Sequence, residues 1–569
     1  MRYLGATEGE TRAPAGLEGE CQVMTKMYKI ISLTLLCLAP LTASAQSFRV
    51  QCPTSTITHP TAANNDAEPA YNGSTTFVIG PQGYQVPSNV NGAIKCQQIA
   101  GGDGYATMGD GTQTYMFSFG PLSGLVDIAN GLPGTEFPSV FNTPYAGLPF
   151  RPGDPATTGL TGLFPFTYNG AVGQVPDLDC LASPAICPGV PTTGTYAGID
   201  GHVDARQMLD IGLMNGNIPA PLMAIDEDDE FFLTLSNVGM IMRPDLFEQH
   251  TVHFHGYPNA SAFYDGVPDA SVAINIGASF TYYYLAPDAG TYFWHCHITP
   301  PEHLQMGMVG QLYVRPRQNR VTGSLYTGLQ NQQVDLRTAC PSAADTTHSD
   351  ILCSNPLPAV NTGAVGAATI GNGQGGTSGY AYNDGDGSTY YDVEYPIQIH
   401  GFDPNFHFVG MTFNPEGFTD MKDKYFLLNG RSYPDTVTTG PLQTQSADGV
   451  NHFSQPLASI INIPAGKKAL LRISDLDVTE YQTLASLGIP MRVVGYNAKL
   501  LRDQAGNNLY YNTNSITLAG GESVDVILDA SDTTKYPVKS VFYLYTPNLD
   551  HLSNDAENFG GLMTEVHVN

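Results

Sequence analysis

Hydrophobic and polar positions alternate along this chain in the manner of β-strands. Short runs rich in Tyr, Phe, Val and Thr are bounded by Gly, Pro, Asn and Asp, and no segment of useful length has the period of a helix. The first clear run is "QTYMFSFGPL" at 113–122, and a second set of runs extends from "YPIQIHGF" at 395–402 to the C-terminus. The pattern therefore predicts an all-β protein.

Two strand-rich regions predict two β-sandwich domains, and a chain of 569 residues is long enough to give each a full core. We expect the first sandwich over 113–317, interrupted by a loop-rich insertion at about 130–205, and the second over 389–569. A loop-rich segment with few clear strands precedes them at 46–112, and a Gly-rich linker joins them at 318–388. The sites of interest are then expected on strands and their connecting loops.

Residues 1–45 resemble an N-terminal extension followed by a signal peptide. The segment contains Lys26 and Lys29, an apolar run from Ile30 to Leu41 and a small-residue cleavage site at Ala43-Ser44-Ala45. The apolar run of about a dozen residues is too short to cross a bilayer. The residues ahead of Met24 have no signal-peptide character, so we expect the true start at Met24 or Met27. An exported protein, periplasmic or extracellular, is the prediction.

Composition narrows the range of partners. The formal net charge is −28, from 24 Lys and Arg against 52 Asp and Glu, and no basic run occurs. A nucleic acid, whose phosphates would be repelled, is therefore excluded as a partner.

Seven cysteines remain once the predicted leader is removed. Disulfides in an oxidising compartment use an even number, so one cysteine is left over. Pairing of neighbours gives Cys52–Cys96, Cys180–Cys187 and Cys340–Cys353, although the sequence does not fix the connectivity. The remaining cysteine, Cys296, lies between two histidines, and a bound metal would protect its thiol.

Histidines are concentrated in two short segments. Six of the 14 lie between 250 and 303, in "EQHTVHFHGYPNAS" (248–261) and "GTYFWHCHITPPEHLQMGM" (290–308). Side chains two apart on a strand share a face, and those an odd number apart point to opposite faces. If the segments are adjacent, two groups form: His250, Cys296, His303 and Met308 in one, and His253, His255, His295 and His297 in the other.

The first of these groups contains the ligands of a blue copper centre: two imidazoles, one thiolate and a weak thioether. Zinc also binds cysteine and histidine, but a Cys-x6-His-x4-Met loop with the other histidine on a distant strand favours copper. The second group, made of imidazoles alone, suits a coupled copper centre that binds O2. Cys296 joins the groups, since only one peptide unit separates it from His295 or His297.

These motifs resemble those of the multicopper oxidases, which include laccases, ferroxidases and manganese oxidases. The resemblance is strong over roughly 213–316 and weaker over 420–569. It implies two cupredoxin-like Greek-key β-sandwich domains with type 1 copper in the first. It further implies type 1 ligands His250, Cys296 and His303 with Met308 axial, a type 2 ligand His253, and type 3 ligands His255, His295 and His297. Asp265 resembles the family's proton-delivering acid, and Glu302 is a weaker candidate for that role.

The second β region departs from the family pattern. A complete trinuclear cluster takes eight histidines, four from each of two domains, but Arg492 and Val494 occupy the positions of a second His-x-His. His551 stands alone where a second His-Cys-His would fall, and His400 and His407 are the best outside candidates. The cluster is then completed across a subunit interface, supplied by a partner, or lost, and of these we expect a homo-oligomer that completes it.

Three functions fit this sequence. The first is an exported multicopper oxidase that takes single electrons from a small-molecule or metal-ion donor and reduces O2 to water. The second is a copper electron-transfer or copper-binding protein with an incomplete trinuclear site. The third is an enzyme like copper nitrite reductase, although that family expects Asp in place of His253 and no ligand at His297. Six residues separate Cys296 from His303 where the family usually has four, so the resemblance does not fix the reduction potential of the type 1 copper.

Overall fold

The computed structural model describes the greater part of both predicted sandwiches. The described residues are 52–71, 77–124, 127–128, 132–142, 181–186, 191–194, 197, 214–240, 242–257, 261–286, 288–320, 378–384, 387–410, 417–445, 451–503 and 507–569. Within them, no helix combines the length and the apolar character needed to cross a membrane. The predicted signal peptide, most of the insertion and most of the linker lie outside the described residues, and the domain bounds stay a prediction.

Ten strands lie in the part of the chain that the structure describes before the linker. They are β1 (Phe77–Ile79), β2 (Gln85–Pro87), β3 (Ile94–Thr107), β4 (Gln113–Pro121), β5 (Met223–Asp226), β6 (Glu230–Gly239), β7 (His253–Phe254), β8 (Ser279–Leu285), β9 (Gly290–His295) and β10 (Val309–Arg315). Two short helices belong to the same region, α1 (Pro138–Phe141) and α2 (Pro300–Gln305). Both begin with proline, which suits the first turn because its missing N–H would have no partner there.

Two four-stranded sheets form the first sandwich, in the orders β4-β3-β6-β8 and β5-β10-β9-β7. Side chains from both sheets meet in one buried cluster, which contains Phe117 and Leu233 from the first sheet and Trp294 and Leu312 from the second. Burial of such side chains contributes about 1.5–3 kcal/mol each and holds the sheets face to face. The metal-ligand candidates lie at one end of this core.

Strand β3 corrects one prediction. Residues 94–107 fall in the segment expected to be loop-rich, yet they form a 14-residue strand between β4 and β6. The strand is buried along most of its length. Its sequence, with three glycines and several polar residues, hides the alternation that marked the other strands. Such a strand is specified by its neighbours rather than by its own apolar pattern.

Sixteen further strands lie in the described residues from Gly379 onward, and the first of them falls within the segment expected to be the linker. They are β11 (Gly379–Tyr380), β12 (Tyr390–Tyr391), β13 (Val393–Phe402), β14 (Tyr425–Leu428), β15 (Leu442–Gln445), β16 (Asn451–Gln455), β17 (Ile461–Ile463), β18 (Lys468–Asp475), β19 (Gln482–Leu487), β20 (Met491–Tyr496), β21 (Lys499–Leu500), β22 (Tyr511–Thr513), β23 (Ser515–Leu518), β24 (Ser523–Asp529), β25 (Val541–Tyr545) and β26 (Met563–Val568). One helix, α3 (Pro404–Gly410), follows β13.

A seven-stranded and a five-stranded sheet form the second sandwich. The larger has the order β14-β13-β18-β24-β20-β21, with β22 beside β20, and the smaller has the order β17-β26-β25-β19-β23. Both sheets contribute to one buried cluster that includes Leu471, Val526, Leu544 and Val566. The all-β fold class with two sandwiches is therefore confirmed.

Polar groups join the two sandwiches. The Glu394 carboxylate pairs with Arg315 of β10 and with Arg472 of β18, and all three side chains are almost fully buried. Thr291 of β9 donates a hydrogen bond of 2.6 Å to Asp525 of β24. Because each buried charge has an opposite partner, the contact holds β9, which carries His295, in a fixed place against the second sandwich.

One of the three expected disulfides lies within the described residues. Cys52 and Cys96 are joined, and Cys296 is free and buried. The predicted pairs Cys180–Cys187 and Cys340–Cys353 lie outside the described residues and stay a prediction.

Candidate metal centre

Strand pairing brings the two histidine segments side by side, as the sequence pattern predicted. In the antiparallel ladder of β7 and β9, His253 is opposite His295 and Phe254 is opposite Trp294. Residues directly opposite each other have close side chains on a shared face of the sheet. The imidazoles of His253 and His295, centred 5.5 Å apart, therefore meet on one face, while Phe254 and Trp294 enter the core.

Cys296, His250 and His303 form a fully buried group on the other side, which we call the thiol group. The Cys296 sulfur is 3.3 Å from Nδ1 of His303 and 4.0 Å from Nδ1 of His250. The backbone N–H of Thr251 donates to the same sulfur over 3.4 Å. Met308 is buried in the same core cluster, and its carbonyl accepts from the Cys296 N–H at 3.1 Å.

Each member of the thiol group comes from a different local structure. His250 is fixed by two backbone hydrogen bonds with Ile274. Cys296 follows the last residue of β9, and His303 lies on α2, which fills the six-residue spacing that follows Cys296. The unusual spacing is thus used for a helical turn, and this turn directs His303 back to the sulfur.

The donor atoms fit a single copper ion. Ligands held about 2.0–2.3 Å from one ion lie roughly 3–4 Å from one another, and the three donor atoms here are all within 4.8 Å. A thiolate with two imidazoles and a buried methionine nearby is the set that copper prefers. Copper at this group would be held by His250, Cys296 and His303.

Charge and burial act in opposite directions on the two histidines of the thiol group. Burial, with His303 nearby, lowers the pKa of His250 well below its usual value. Burial also lowers the pKa of His303, but the charges of Cys296 and Glu248 outweigh it and raise that pKa to about 9. The Glu248 carboxylate lies 3.7 Å from Nε2 of His303 and is partly exposed. It therefore connects this imidazole to the surface.

The second group contains four imidazoles, and we call it the imidazole group. Donor atoms of His253, His255 and His295 lie within 4.8 Å of one another, with Nε2 of His255 only 2.9 Å from Nε2 of His295. The ring of His297 is centred 5.0 Å from that of His253 and 5.4 Å from that of His295. The structure thus brings all four predicted side chains together, three of them closely.

Hydrogen bonds orient these rings for metal binding. Nδ1 of His253 donates to the Asp265 carbonyl at 2.7 Å, and Nδ1 of His295 donates to the Cys296 carbonyl at 2.6 Å. A neutral ring with its proton on Nδ1 offers the Nε2 lone pair to a metal. Burial and the neighbouring histidines lower the pKa of His255 to about 4 and that of His295 well below the usual value, so both rings are neutral. A set of imidazoles suits copper, zinc, iron or nickel.

The two predicted acids lie at different places. Asp265 is beside the imidazole group, with a carboxylate oxygen 3.7 Å from Nδ1 of His253. Glu302 lies instead near His303, Glu248 and Arg243, beside the thiol group, where burial raises the pKa of its carboxyl. The expectation that Glu302 serves the imidazole group therefore has no support in its position.

The second sandwich holds its histidines elsewhere. Arg492 lies over the ring of Tyr510, and Val494 is buried between the sandwiches, so neither position offers a ligand. His551 stacks on Phe426 with ring centroids 3.8 Å apart. Among the residues that the structure describes, every histidine that lies in a possible metal-binding group belongs to the first sandwich.

Three residues of the centre escaped the sequence analysis. Gly101 of β3 lies against His250, since a Cβ there would be 2.6 Å from Cδ2 of that ring. Thr251 donates its N–H to Cys296, and its hydroxyl accepts from the His297 N–H at 3.0 Å. Glu248 contacts His303. Thr251 and Glu248 were visible beside His250 in the sequence, whereas nothing local marked Gly101.

The part of the chain that contains the two metal-ligand groups is similar to known proteins. Residues 200–319, which contain both the thiol group and the imidazole group, match the family described as multicopper oxidase. Laccase abr2 of Aspergillus fumigatus is 30% identical over 147 residues, or 26% of this chain and 22% of the laccase. Multicopper oxidase MCE of Talaromyces pinophilus is 33% identical over 129 residues, or 22% of this chain and 20% of that protein. Residues 200–319 are therefore similar to a multicopper oxidase domain.

A nitrite reductase and a solved copper oxidase structure also match this chain. A copper-containing nitrite reductase of Rhizobium meliloti is 33% identical over 114 residues, or 19% of this chain and 27% of the reductase. The blue copper oxidase from Nitrosomonas europaea, a solved structure, aligns over 62% of this chain and 78% of its own with 20% identity and a TM-score of 0.39. The chain spans about a fifth of the length of the laccase and the oxidase named first.

Proposed function

We propose that the chain is an exported multicopper oxidase that removes single electrons from a small donor and passes them to O2, which is reduced to water. The observation that carries the proposal is the position of Cys296. It belongs to the thiol group, yet it is bonded directly to His295 and His297 of the imidazole group. Copper would supply one-electron chemistry at the thiol group and O2 reduction at the imidazole group.

The chain provides a short connection between the groups. Cys296 and His295 are adjacent in sequence, and the hydrogen bond of 2.6 Å from Nδ1 of His295 to the Cys296 carbonyl gives a second link. Both residues are buried, so the connection excludes water. A rigid, dry path of this kind supports electron transfer between sites without movement of either ligand set.

The donor side is acidic. Glu248 and Glu302 lie near His303, which is the thiol-group ligand linked to the surface through Glu248. Negative charge there favours a donor that carries positive charge, such as a metal ion, or one that releases a proton on oxidation, such as a phenol. Asp265, partly exposed and beside His253, is the proposed source of protons for the imidazole group.

Completion of the imidazole group requires a second subunit in this proposal. Three coppers held by four histidines would be under-coordinated, and Arg492 and Val494 occupy the positions where the same chain could have supplied more. A homo-oligomer with the imidazole group at its interface would provide them. Binding of copper there would then add to the free energy of association.

Copper content measured together with light-scattering mass tests this proposal, and an oxygen electrode supplied with a phenol, Fe(II), Mn(II) or Cu(I) tests turnover. We expect O2 consumption only by an oligomer that holds more than one copper per chain. Dilution should release the copper of the imidazole group first, because the thiol group has all its ligands in one chain. An active monomer with four coppers would refute the shared site.

An electron-transfer protein is the second candidate. The absence of further imidazoles at Arg492 and Val494 favours it, since an incomplete group would leave only the thiol group functional. This candidate predicts one blue copper per chain and no consumption of O2. Loss of nitrite, measured with the same donors in the absence of O2, tests the third function, which the match to a nitrite reductase suggests.

A further inference from the structure

Helix α2, which carries His303, ends against the second sandwich. The last carbonyl groups of a helix have no partner within it and must find one elsewhere. The Leu304 carbonyl accepts hydrogen bonds of 3.0 Å from Nε2 of His400 and from the Gly307 N–H, and the Gln305 carbonyl faces Nε2 of His407 at 2.9 Å. Both imidazoles are buried and belong to β13 and α3 of the second sandwich.

The Gln305 side chain strengthens the same contact. Its amide donates to the Asp423 carboxylate at 2.9 Å, and its oxygen accepts from the Asp403 backbone N–H at 3.0 Å. All three residues are buried. Three hydrogen bonds with the second sandwich and the contact with His407 therefore hold two consecutive residues, Leu304 and Gln305, that lie between His303 and Met308.

The remaining part of this loop is held by the first sandwich. The Met308 N–H donates to the His303 carbonyl at 2.8 Å, and the Ser118 hydroxyl donates to the Gly307 carbonyl at 2.5 Å. His407 also reaches the first sandwich, because its Nδ1 is 2.6 Å from the Tyr115 carbonyl, and the single proton of the neutral ring is donated to one of the two carbonyls that it faces. The loop is thus fixed from two directions.

Neither of the second-sandwich histidines is a spare ligand. Both ring nitrogens of His407 face backbone carbonyls. His400 uses Nε2 for Leu304, and its Nδ1 is buried without a hydrogen bond. In the sequence these two were the best outside candidates for ligands of the imidazole group. In the structure they contact instead the loop that carries His303 and Met308.

We propose that His400 and His407 are positioning residues that fix the copper-ligand loop from Leu304 to Met308, so that the second sandwich sets the geometry of a site to which it contributes no ligand. The inference rests on the proposed function, because it takes His303 and Met308 as copper ligands. Groups that orient metal ligands change metal affinity about 10- to 100-fold when removed. Without His407 the buried Gln305 carbonyl loses its partner, and without His400 the Leu304 carbonyl keeps only the Gly307 N–H, so either change destabilises the loop.

The variants His400→Leu and His407→Leu test the proposal in the full chain. His551→Leu is the matched control, since His551 is equally buried, stacks on Phe426 and bonds Gln482 and Glu480 within the second sandwich. We expect both test variants to lose about 10- to 100-fold in copper affinity at the thiol group and to change its absorption band. A tenfold loss confined to one oxidation state corresponds to about 59 mV in reduction potential. His551→Leu should lower thermal stability alone.

His407→Gln supplies a rescue, because its amide can still donate to the Gln305 carbonyl, and it should restore most of the affinity. If the leucine variants do not fold, Gln305→Met removes the ties to Asp403 and Asp423 while both imidazoles stay, and the same changes are expected. Test variants that match His551→Leu in copper affinity, absorption and potential would overturn the proposal.

A measurement without copper separates this proposal from the proposed function. The rate at which a thiol reagent modifies Cys296 in the apo-protein reports opening of the loop, with Cys296→Ser as the background. We expect His400→Leu and His407→Leu to react about tenfold faster than His551→Leu. If the wild type never binds blue copper but these rates differ as expected, the proposed function fails and the positioning role stands. Equal rates would refute the positioning role.

Discussion

Substitution of Gly101 by alanine should weaken copper binding at the thiol group, because Gly101 lies on β3 against the ring of His250. The added Cβ would lie 2.6 Å from Cδ2 of His250 and 3.3 Å from its Cγ and Nε2. Carbon atoms in contact prefer about 3.5–4.0 Å, so the ring or β3 must move by about 1 Å. The ring has little room, because Phe119 and His303 pack beside it with centroids 6.4 Å and 5.3 Å away.

The cost can be bounded from these contacts. Overpacking of a buried site costs about 1–3 kcal/mol. In the metal-free protein His250 can turn to relieve the contact, but copper bonds tolerate deviations of only about 0.2 Å and would force the ring back. The strain then appears as lost copper affinity, roughly 5- to 150-fold at about 1.4 kcal/mol for each tenfold.

Competition with a copper chelator, followed by the blue absorption band, measures this loss. Quenching of Trp294, the single tryptophan of the chain and a neighbour of His295, gives a second readout. Gly104 lies on the same strand as Gly101, and Gly104→Ala is the control, because its Cβ would be 2.5 Å from the Gly216 carbonyl and would touch no ligand. Gly104→Ala should lower thermal stability and leave affinity unchanged. The reasoning is refuted if Gly101→Ala binds copper as tightly as Gly104→Ala.

Three further outcomes are expected. Cys296→Ser should abolish the blue colour and any oxidase activity while the fold persists, and a colourless, fully copper-loaded wild type would contradict the type 1 assignment. Thiol titration of denatured, unreduced and metal-stripped protein should find one free cysteine, and three or more would contradict the pairing and the export. Burial alone would raise the pKa of Glu230, but hydrogen bonds from His59, Thr56 and Tyr283 lower it. Its stabilising effect is present above the usual pKa of 4.5 and is lost as pH falls through the lowered value, so Glu230→Gln should flatten the acid-side decline in melting temperature.

Local sequence patterns predicted the strands in which apolar and polar residues alternate. Strand β3 and the partners of His400 and His407 depend on contacts between residues far apart in the chain. The run at 113–122 became β4, and the spacing of His253 and His295 placed both rings on one face as expected. Strand β3 was missed because its glycines fit around His250 and Gly216 rather than following a period of two. His400 and His407 were seen as candidates, but their partners on α2 depend on how the sandwiches pack, which no local pattern reports.

The parallel pairing of β3 with β6 has a consequence for the order of folding. The contact at its start joins Ala93 to Asp229, 136 positions apart in the chain, so the two strands meet only after a long loop has closed. Closure of such loops and parallel pairing are slow steps in folding. Until β3 arrives, His250 lacks the wall that Gly101 provides. Copper should therefore enter after this step, and in refolding experiments the blue colour should follow the burial of Trp294. Colour that precedes burial would show that copper nucleates the fold.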